Sequence, residues 1–272
     1  MQSKSIQLGI GKINYYESAG TGPAILLIHG NSASGKCFQN QIEGSLGENF
    51  RVVAIDLPGH GGSDPFENME DYNFPAYARV IVDVASALNM DEAVFAGWSL
   101  GGHAVLEASS QLVNAAGFVI FGTPPLAFPP AMEEAFLPNP AMAAAFNPTL
   151  SPEEAKGFAD AFFAEGTNAP ELFIDDIQAT DGNARAGMAA SIAPDGYADE
   201  VEIVANLSKP LAIMHGSDEM LVNGDYFSTL NMPTLWRQKV QIIKGAGHIP
   251  QWEQADTFNR LLAGFVKDVS RS

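Results

Sequence analysis

The chain has 272 residues, of which 46% are hydrophobic and 17% are charged, a balance that excludes a disordered tail and indicates one substantial core. Its length favours a single α/β unit or a core with an inserted subdomain. The 14 Lys and Arg residues against 32 Asp and Glu residues give a net charge of −18, which repels phosphate backbones and argues against nucleic-acid binding.

Apolar runs separated by turn residues predict a sheet. Two alternating runs, residues 6–10 and 13–17, flank Gly11 and Lys12 and predict an antiparallel hairpin at a sheet edge. Later runs are apolar throughout, as parallel strands covered on both faces require. These strands are predicted at residues 24–28, 52–55, 93–96, 117–121 and 211–214, and a last strand is predicted at 241–244.

Helical spacing of apolar residues between these strands predicts helices at 76–88 and 256–268. The alternation of strand and helix predicts an α/β fold, with a mostly parallel central sheet flanked by helices.

The alternation breaks between residues 123 and 206, where eight prolines divide the first 30 residues into short pieces. Bulky apolar side chains continue through this segment and predict a helical cap. The predicted core is therefore 1–122 and 207–272, and the predicted cap (lid) insertion is 123–206. The side chains predicted to contact substrate are Trp98, Phe128, Met132, Phe136, Phe158 and Phe162.

A strand, a tight turn and a helix are predicted to meet at Gly-Trp-Ser-Leu-Gly-Gly, residues 97–102. This is the setting of a nucleophile elbow, in which a strained backbone exposes a serine at the sheet edge. A Cβ at Gly97 or Gly101 would clash inside such a turn. Ser99 is the candidate nucleophile, and the alternative is a purely structural turn.

A serine hydroxyl needs a base, and imidazole suits this task. His248 follows the last predicted strand in the loop Gly-Ala-Gly-His, from which it can reach over the sheet edge, and it has the expected place in the order nucleophile, acid, base. The acid is expected in the loop after the preceding strand, which offers Asp218 and Glu219. The histidines interpreted as structural are His29, His60, His103 and His215.

Two backbone N–H groups are predicted to stabilise the oxyanion of a tetrahedral intermediate. Leu100 directly follows the nucleophile, and Asn31 lies in His-Gly-Asn-Ser after the first parallel strand. The alternative for the latter segment is an ordinary loop of turn residues. The sequence shows no metal-binding histidine pattern and no dinucleotide fingerprint, so we expect neither a metal nor another cofactor.

The single cysteine, Cys37, excludes an intramolecular disulfide and is interpreted as a small buried filler. No segment approaches the roughly 18 apolar residues of a membrane span. The first residues lack the apolar block of a secretion signal, so we expect no membrane association and a cytoplasmic location.

Together these patterns resemble the α/β-hydrolase superfamily over nearly the whole chain, and within it the metal-independent N-acyl-homoserine lactonases of the quorum-quenching type. The stretches that carry the resemblance are 29–35, 56–61, 97–103, 122–125, 180–185, the loop around Glu219 and 245–248. In the superfamily's acid loop the carboxylate is the third residue after the glycine. Counted from Gly216, this favours Glu219 over Asp218.

The resemblance implies an α/β-hydrolase fold with an inserted helical cap, and a serine hydrolase that opens the lactone ring without a cofactor. Its partner would be a small-molecule acyl lactone or ester, and the sequence does not specify an oligomeric state. The alternatives are a carboxylesterase or carbon-carbon bond hydrolase with the same triad, or a non-catalytic ligand receptor on the same fold.

Overall fold

The computed structural model describes residues 1–193 and 196–270, and its centre is an eight-stranded sheet. The strands are β1 (Ser3–Leu8), β2 (Gly11–Glu17), β3 (Ala24–Ile28), β4 (Arg51–Ile55), β5 (Val94–Trp98), β6 (Gly117–Phe121), β7 (Leu211–Gly216) and β8 (Gln241–Ile243). Their order across the sheet is β1-β2-β4-β3-β5-β6-β7-β8. Strands β3 to β8 are parallel, and the hairpin β1-β2 pairs antiparallel with β4 at one edge. The predicted α/β-hydrolase fold is confirmed.

Helices cover both faces of this sheet. They are α1 (Gln39–Ile42), α2 (Ser45–Asn49), α3 (Phe74–Ala87), α4 (Leu100–Ala108), α5 (Met132–Ala135), α6 (Pro152–Asp160), α7 (Glu171–Ala179), α8 (Gly182–Ser191), α9 (Glu200–Asn206), α10 (Pro250–Glu253) and α11 (Ala255–Val269). Local sequence explains several of their starts. The Asn73 side chain caps α3, and Ser151 with Glu154 forms a capping box on α6.

The central strands are buried on both faces, which explains their apolar runs. One face packs against α3, α4 and α9, and the other packs against α1, α2 and α11. Helices α5 to α9 lie between β6 and β7 in the chain, and we propose residues 123–206 as the cap. No helix within residues 1–193 and 196–270 has the length and apolar character needed to cross a membrane.

One predicted boundary needs correction. The first hairpin turns at Gly9 and Ile10, because Leu8 pairs with Gly11, and not at Gly11 and Lys12. The helix after the elbow begins at Leu100, inside the segment 97–102 where the strand, turn and helix are predicted to meet. The backbone N–H of Leu100 is therefore a first-turn donor without a partner inside the helix.

Candidate active site

Ser99 lies in a sharp turn between β5 and α4, with φ of 53° and ψ of −119°. Its backbone N–H donates a 2.9 Å hydrogen bond to the carbonyl of Phe121, at the end of the neighbouring β6. A Cβ at Gly97 would lie 2.2 Å from the Gly101 carbonyl oxygen, and a Cβ at Gly101 would lie 2.3 Å from the Ile28 carbonyl oxygen. Both glycines are therefore required for the close approach that holds the strained serine.

His248 follows β8 and reaches back over the end of β6. A Cβ on Gly122 would lie 2.7 Å from the His248 Cε1, so the imidazole packs directly on this glycine. The indole N–H of Trp98 donates a 2.8 Å hydrogen bond to the His248 carbonyl. Because Phe121 holds the backbone of Ser99 and Gly122 holds the ring of His248, adjacent residues of one strand end position both side chains.

Glu219, and not Asp218, lies against this imidazole. His248 Nδ1 is 2.9 Å and 3.1 Å from the two Glu219 carboxylate oxygens, and the N–H of Leu221 donates to the same carboxylate at 2.8 Å. Burial raises the pKa of Glu219, but the charge and hydrogen bond of His248 and the Leu221 N–H together outweigh burial and lower that pKa below its usual value. Asp218 is exposed and accepts a hydrogen bond from the Ser217 hydroxyl.

The two predicted oxyanion donors lie beside the elbow. Neither the Asn31 N–H nor the Leu100 N–H donates to an acceptor in the part of the chain that the structure describes, and both residues line the same cavity as Ser99. The Asn31 side-chain amide donates to the Ala145 carbonyl at 2.7 Å, and its oxygen accepts the Ser32 hydroxyl at 2.9 Å. The Asn31 side chain thus holds its own loop in place through these two hydrogen bonds.

A buried arginine that sequence reasoning missed supports this loop from the cap. Arg185 donates to the Ser32 hydroxyl at 3.2 Å and to the carbonyls of Asn147, Pro148 and Ile177 at 2.7 to 3.1 Å. Burial lowers the pKa of its guanidinium. The only sequence feature that pointed to Arg185 was the segment 180–185, which is one of the stretches that carry the family resemblance. The resemblance gave no role for this arginine.

Ser99 and His248 open onto a cavity between core and cap, with an empty volume of about 740 Å³ including its mouth. Four of its eighteen lining residues are polar: Asn31, Ser99, His103 and His248. The apolar lining residues are Phe74, Trp98, Leu100, Leu126, Met132, Phe136, Met142, Ala145, Phe146, Phe158, Phe162, Met188, Ile192 and Leu221. The cavity therefore combines a small polar centre with walls suited to a hydrocarbon chain.

Five of the six side chains predicted to contact substrate line this cavity, and Phe128 does not. Its backbone N–H donates to the Asp199 carboxylate, and its ring packs edge-on against Tyr197 at the surface, with a ring-centroid distance of 5.6 Å. These contacts hold Phe128 away from the cavity. Most of the lining residues missed in the sequence come from separate elements, and only the packing of the cap brings them together.

The remaining histidines divide into two groups. His29 and His60 are buried, and burial lowers their pKa values to about 4 and about 3. His215 and His103 are also buried, and His103 differs from the other three because it lines the cavity. Within residues 1–193 and 196–270, no group of three or more His, Cys, Asp or Glu side chains is placed to hold a metal ion.

Comparison with known proteins identifies a family whose sequence model matches this chain, and several similar proteins. The sequence model of the Alpha/beta hydrolase family matches residues 25–261. A crystal structure of a mutant of the N-acyl homoserine lactonase AidH, complexed with N-hexanoyl homoserine lactone, is 33% identical with a TM-score of 0.95, and the alignment covers 100% of this chain and 99% of that one.

The curated relatives have either a lower sequence identity or a shorter aligned region. The 3-oxoadipate enol-lactonase 1 of Acinetobacter baylyi is 26% identical over 95% of this chain and 92% of the relative. A 2-hydroxy-6-oxononadienedioate/2-hydroxy-6-oxononatrienedioate hydrolase of Burkholderia vietnamiensis is 27% identical over 93% of this chain and 90% of the relative. Uncharacterized proteins of Mycobacterium tuberculosis and Mycobacterium bovis are 38% identical over 96 residues, a match that spans only 27% of their length.

Proposed function

This protein belongs to the α/β-hydrolase family, and from that premise we propose that it is a serine hydrolase that opens the lactone ring of N-acyl homoserine lactones. The observation that carries the proposal is the cavity in which Ser99 and His248 meet fourteen apolar side chains. An acyl chain would gain about 0.8 kcal/mol for each CH₂ group buried there. The similarity to AidH supports the same substrate class. Action against quorum-sensing signals and a cytoplasmic location stay predictions.

In the first half of the proposed reaction, Ser99 Oγ attacks the lactone carbonyl while His248 takes its proton. Glu219 holds the proton of His248 on Nδ1, which keeps Nε2 free to act as the base, and it stabilises the imidazolium that forms. The N–H groups of Asn31 and Leu100 donate to the oxyanion. Collapse of the intermediate breaks the ring carbon-oxygen bond, and His248 protonates the departing ring oxygen.

In the second half, the acyl-enzyme carries the new hydroxyl on the same molecule, so water must compete with ring closure. His248 removes a proton from this water, and the resulting hydroxide attacks the ester carbonyl. Release of the acid restores the Ser99 hydroxyl. Ionisation of the product carboxylic acid near neutral pH then favours the open form.

The distant relatives raise a second candidate, hydrolysis of a carbon-carbon bond or of an enol-lactone. The names of their substrates denote carboxylate groups. No Lys or Arg occurs among the residues that line the cavity in the described part of this chain. A buried carboxylate without such a partner is strongly disfavoured. The lining therefore favours an uncharged acyl lactone.

The test is a pH-stat assay of proton release across N-acyl homoserine lactones of increasing acyl length, with simple aryl esters for comparison and a repeat with a chelator. We expect lactone hydrolysis at rates comparable to those for aryl esters, unchanged by the chelator. Ser99→Ala should lose this activity, and Ser110→Ala, which changes an exposed serine, should keep it.

The other outcomes separate the alternatives. Hydrolysis of aryl esters without any lactone hydrolysis would identify a carboxylesterase. Negligible turnover of either class with tight lactone binding would identify a receptor. Either result would contradict the proposed function.

A further inference from the structure

One polar side chain in the cavity has no part in the proposed chemistry. Of the four polar residues that line the cavity, Asn31, Ser99 and His248 belong to the reaction centre, and His103 does not. It lies one helical turn after Ser99 on α4, and its ring stacks on Phe74 with a centroid distance of 5.1 Å and an interplanar angle of 27°. Its ring is therefore held at the cavity wall by packing.

A buried carboxylate fixes the orientation of this ring. His103 Nδ1 lies 2.8 Å and 2.9 Å from the two carboxylate oxygens of Glu200. Glu200 is fully buried. The N–H of Leu126 donates to the same carboxylate at 2.7 Å, and the N–H of Glu200 donates to the Leu126 carbonyl at 2.8 Å. The backbone at both ends of the cap thus holds Glu200, and Glu200 holds His103.

This pairing decides which ring nitrogen carries the proton. A carboxylate is only an acceptor, so Nδ1 donates to Glu200, and in the tautomer with a single N–H the lone pair lies on Nε2. Within the described ranges of the chain, Nε2 has no hydrogen-bond partner and is not among the fully enclosed unpartnered atoms. In this tautomer His103 presents a hydrogen-bond acceptor at the cavity wall, in addition to the polar residues Asn31, Ser99 and His248.

We propose that His103, oriented by Glu200, accepts a hydrogen bond from the amide N–H of the substrate and so selects acylamino lactones over esters and lactones that lack this group. The inference rests on the proposed function and names the substrate group that the site recognises. An analogue without the N–H would leave the His103 Nε2 unpaired beside apolar side chains, and such a mismatch gives strong discrimination.

The test compares kcat/KM for N-hexanoyl homoserine lactone and for its analogue in which an oxygen replaces the amide N–H. Wild type should favour the amide by roughly 10-fold to 100-fold. His103→Phe, which keeps an aromatic ring against Phe74, should reduce this ratio to about one. Ser110→Ala, at an exposed position outside the cavity, is the matched control and should keep the wild-type ratio. His103→Gln, whose side-chain oxygen can accept a hydrogen bond, should restore part of the preference.

An unchanged amide-to-ester ratio in His103→Phe, or no preference in wild type, would overturn the inference and leave the lactonase proposal standing. Hydrolysis of aryl esters without hydrolysis of any acylamino lactone would overturn both. If His103→Phe does not fold, the smaller His103→Leu variant takes its place, with the same expected and contrary ratios.

Discussion

Asp218 and Glu219 are adjacent acidic residues whose environments separate their roles. Asp218 is exposed to solvent, and the Glu219 side chain is only 2% exposed and contacts His248. An exposed carboxylate interacts weakly with its surroundings because water screens it, whereas a buried one holds its partner strongly. The pair therefore provides a mutation and its matched control at neighbouring positions.

We predict that Glu219→Gln lowers kcat about 1,000-fold to 10,000-fold, because the amide no longer holds His248 in the required tautomer. Asp218→Asn should leave kcat within about twofold of wild type. Steady-state kinetics with the best lactone substrate would measure both, with circular dichroism to establish folding. A larger loss in Asp218→Asn than in Glu219→Gln would reverse the assignment of the acid.

Asp176 on α7 is another buried carboxylate, and it lies where the proposed cap meets the core. It accepts a 2.5 Å hydrogen bond from the Ser34 hydroxyl, and Lys36 Nζ lies 3.8 Å away. Burial raises the pKa of Asp176 to about 6, against the lowering effects of Ser34 and Lys36. Because its folded pKa lies above the unfolded value, the protonated group stabilises the fold at low pH, and this contribution is lost as pH rises through about 6.

We therefore predict that Asp176→Asn raises the free energy of unfolding by about 1–3 kcal/mol at pH 7.5 and makes little difference near pH 4. Urea denaturation at the two pH values measures this difference. Asp175→Asn, at the exposed neighbouring position, should change the free energy by less than about 0.5 kcal/mol. Destabilisation by Asp176→Asn at pH 7.5 would contradict the prediction.

At the scale of elements, helix α8 of the proposed cap is hydrogen-bonded to the core through Asp181 and Arg185. Asp181, which caps α8, accepts the Tyr72 hydroxyl at 2.7 Å, and its N–H donates to the Gly59 carbonyl at 2.9 Å. Arg185 on the same helix reaches the Ser32 hydroxyl, and Ser32 in turn donates to Asn31. Helix α8 thus holds the loop of the proposed oxyanion hole, so the proposed cap takes part in the proposed chemistry as well as in the cavity wall.

We expect Arg185→Lys to lower kcat about tenfold with a smaller change in KM, because an ammonium group cannot reproduce the planar fork that reaches four acceptors. The displaced Asn31 loop would stabilise the transition state less well. Arg79→Lys, at an exposed position of α3, is the matched control and should behave as wild type. Equal kinetics for the two variants would remove Arg185 from the positioning of the loop.

At the scale of the whole molecule, the net charge of −18 gives the fold substantial self-repulsion. Salt screens such repulsion, with a Debye length of about 10 Å at 0.1 M and about 3 Å at 1 M. We predict that raising NaCl from 20 mM to 500 mM increases Tm by about 2–4 °C. Differential scanning fluorimetry measures this shift, and KCl at equal ionic strength should match it. An unchanged or lower Tm would show that surface repulsion does not limit stability.

Local patterns in the chain were sufficient to predict the fold class. Each central strand needs apolar side chains on both faces, and the sharp turn at Ser99 needs glycine on either side. The positions of Ser99 after β5 and of His248 after β8 were predictable for the same reason, since a strand-turn-helix junction and a loop beyond the last strand have recognisable sequences. Their catalytic roles stay predictions. The choice between the adjacent Asp218 and Glu219 required the family resemblance, because two carboxylates in one loop are chemically equivalent until their burial is known.

Only tertiary structure revealed the Glu200–His103 pair, the Arg185 joint and the surface position of Phe128. Glu200 and His103 are 97 residues apart, and Arg185 and Ser32 are 153 apart. The sequence by itself determined the sheet, the elbow and the candidate nucleophile and base, because these depend on local periodicity and backbone geometry. The shape and polarity of the cavity were decided by long-range packing between cap and core, where side chains with no common local pattern meet.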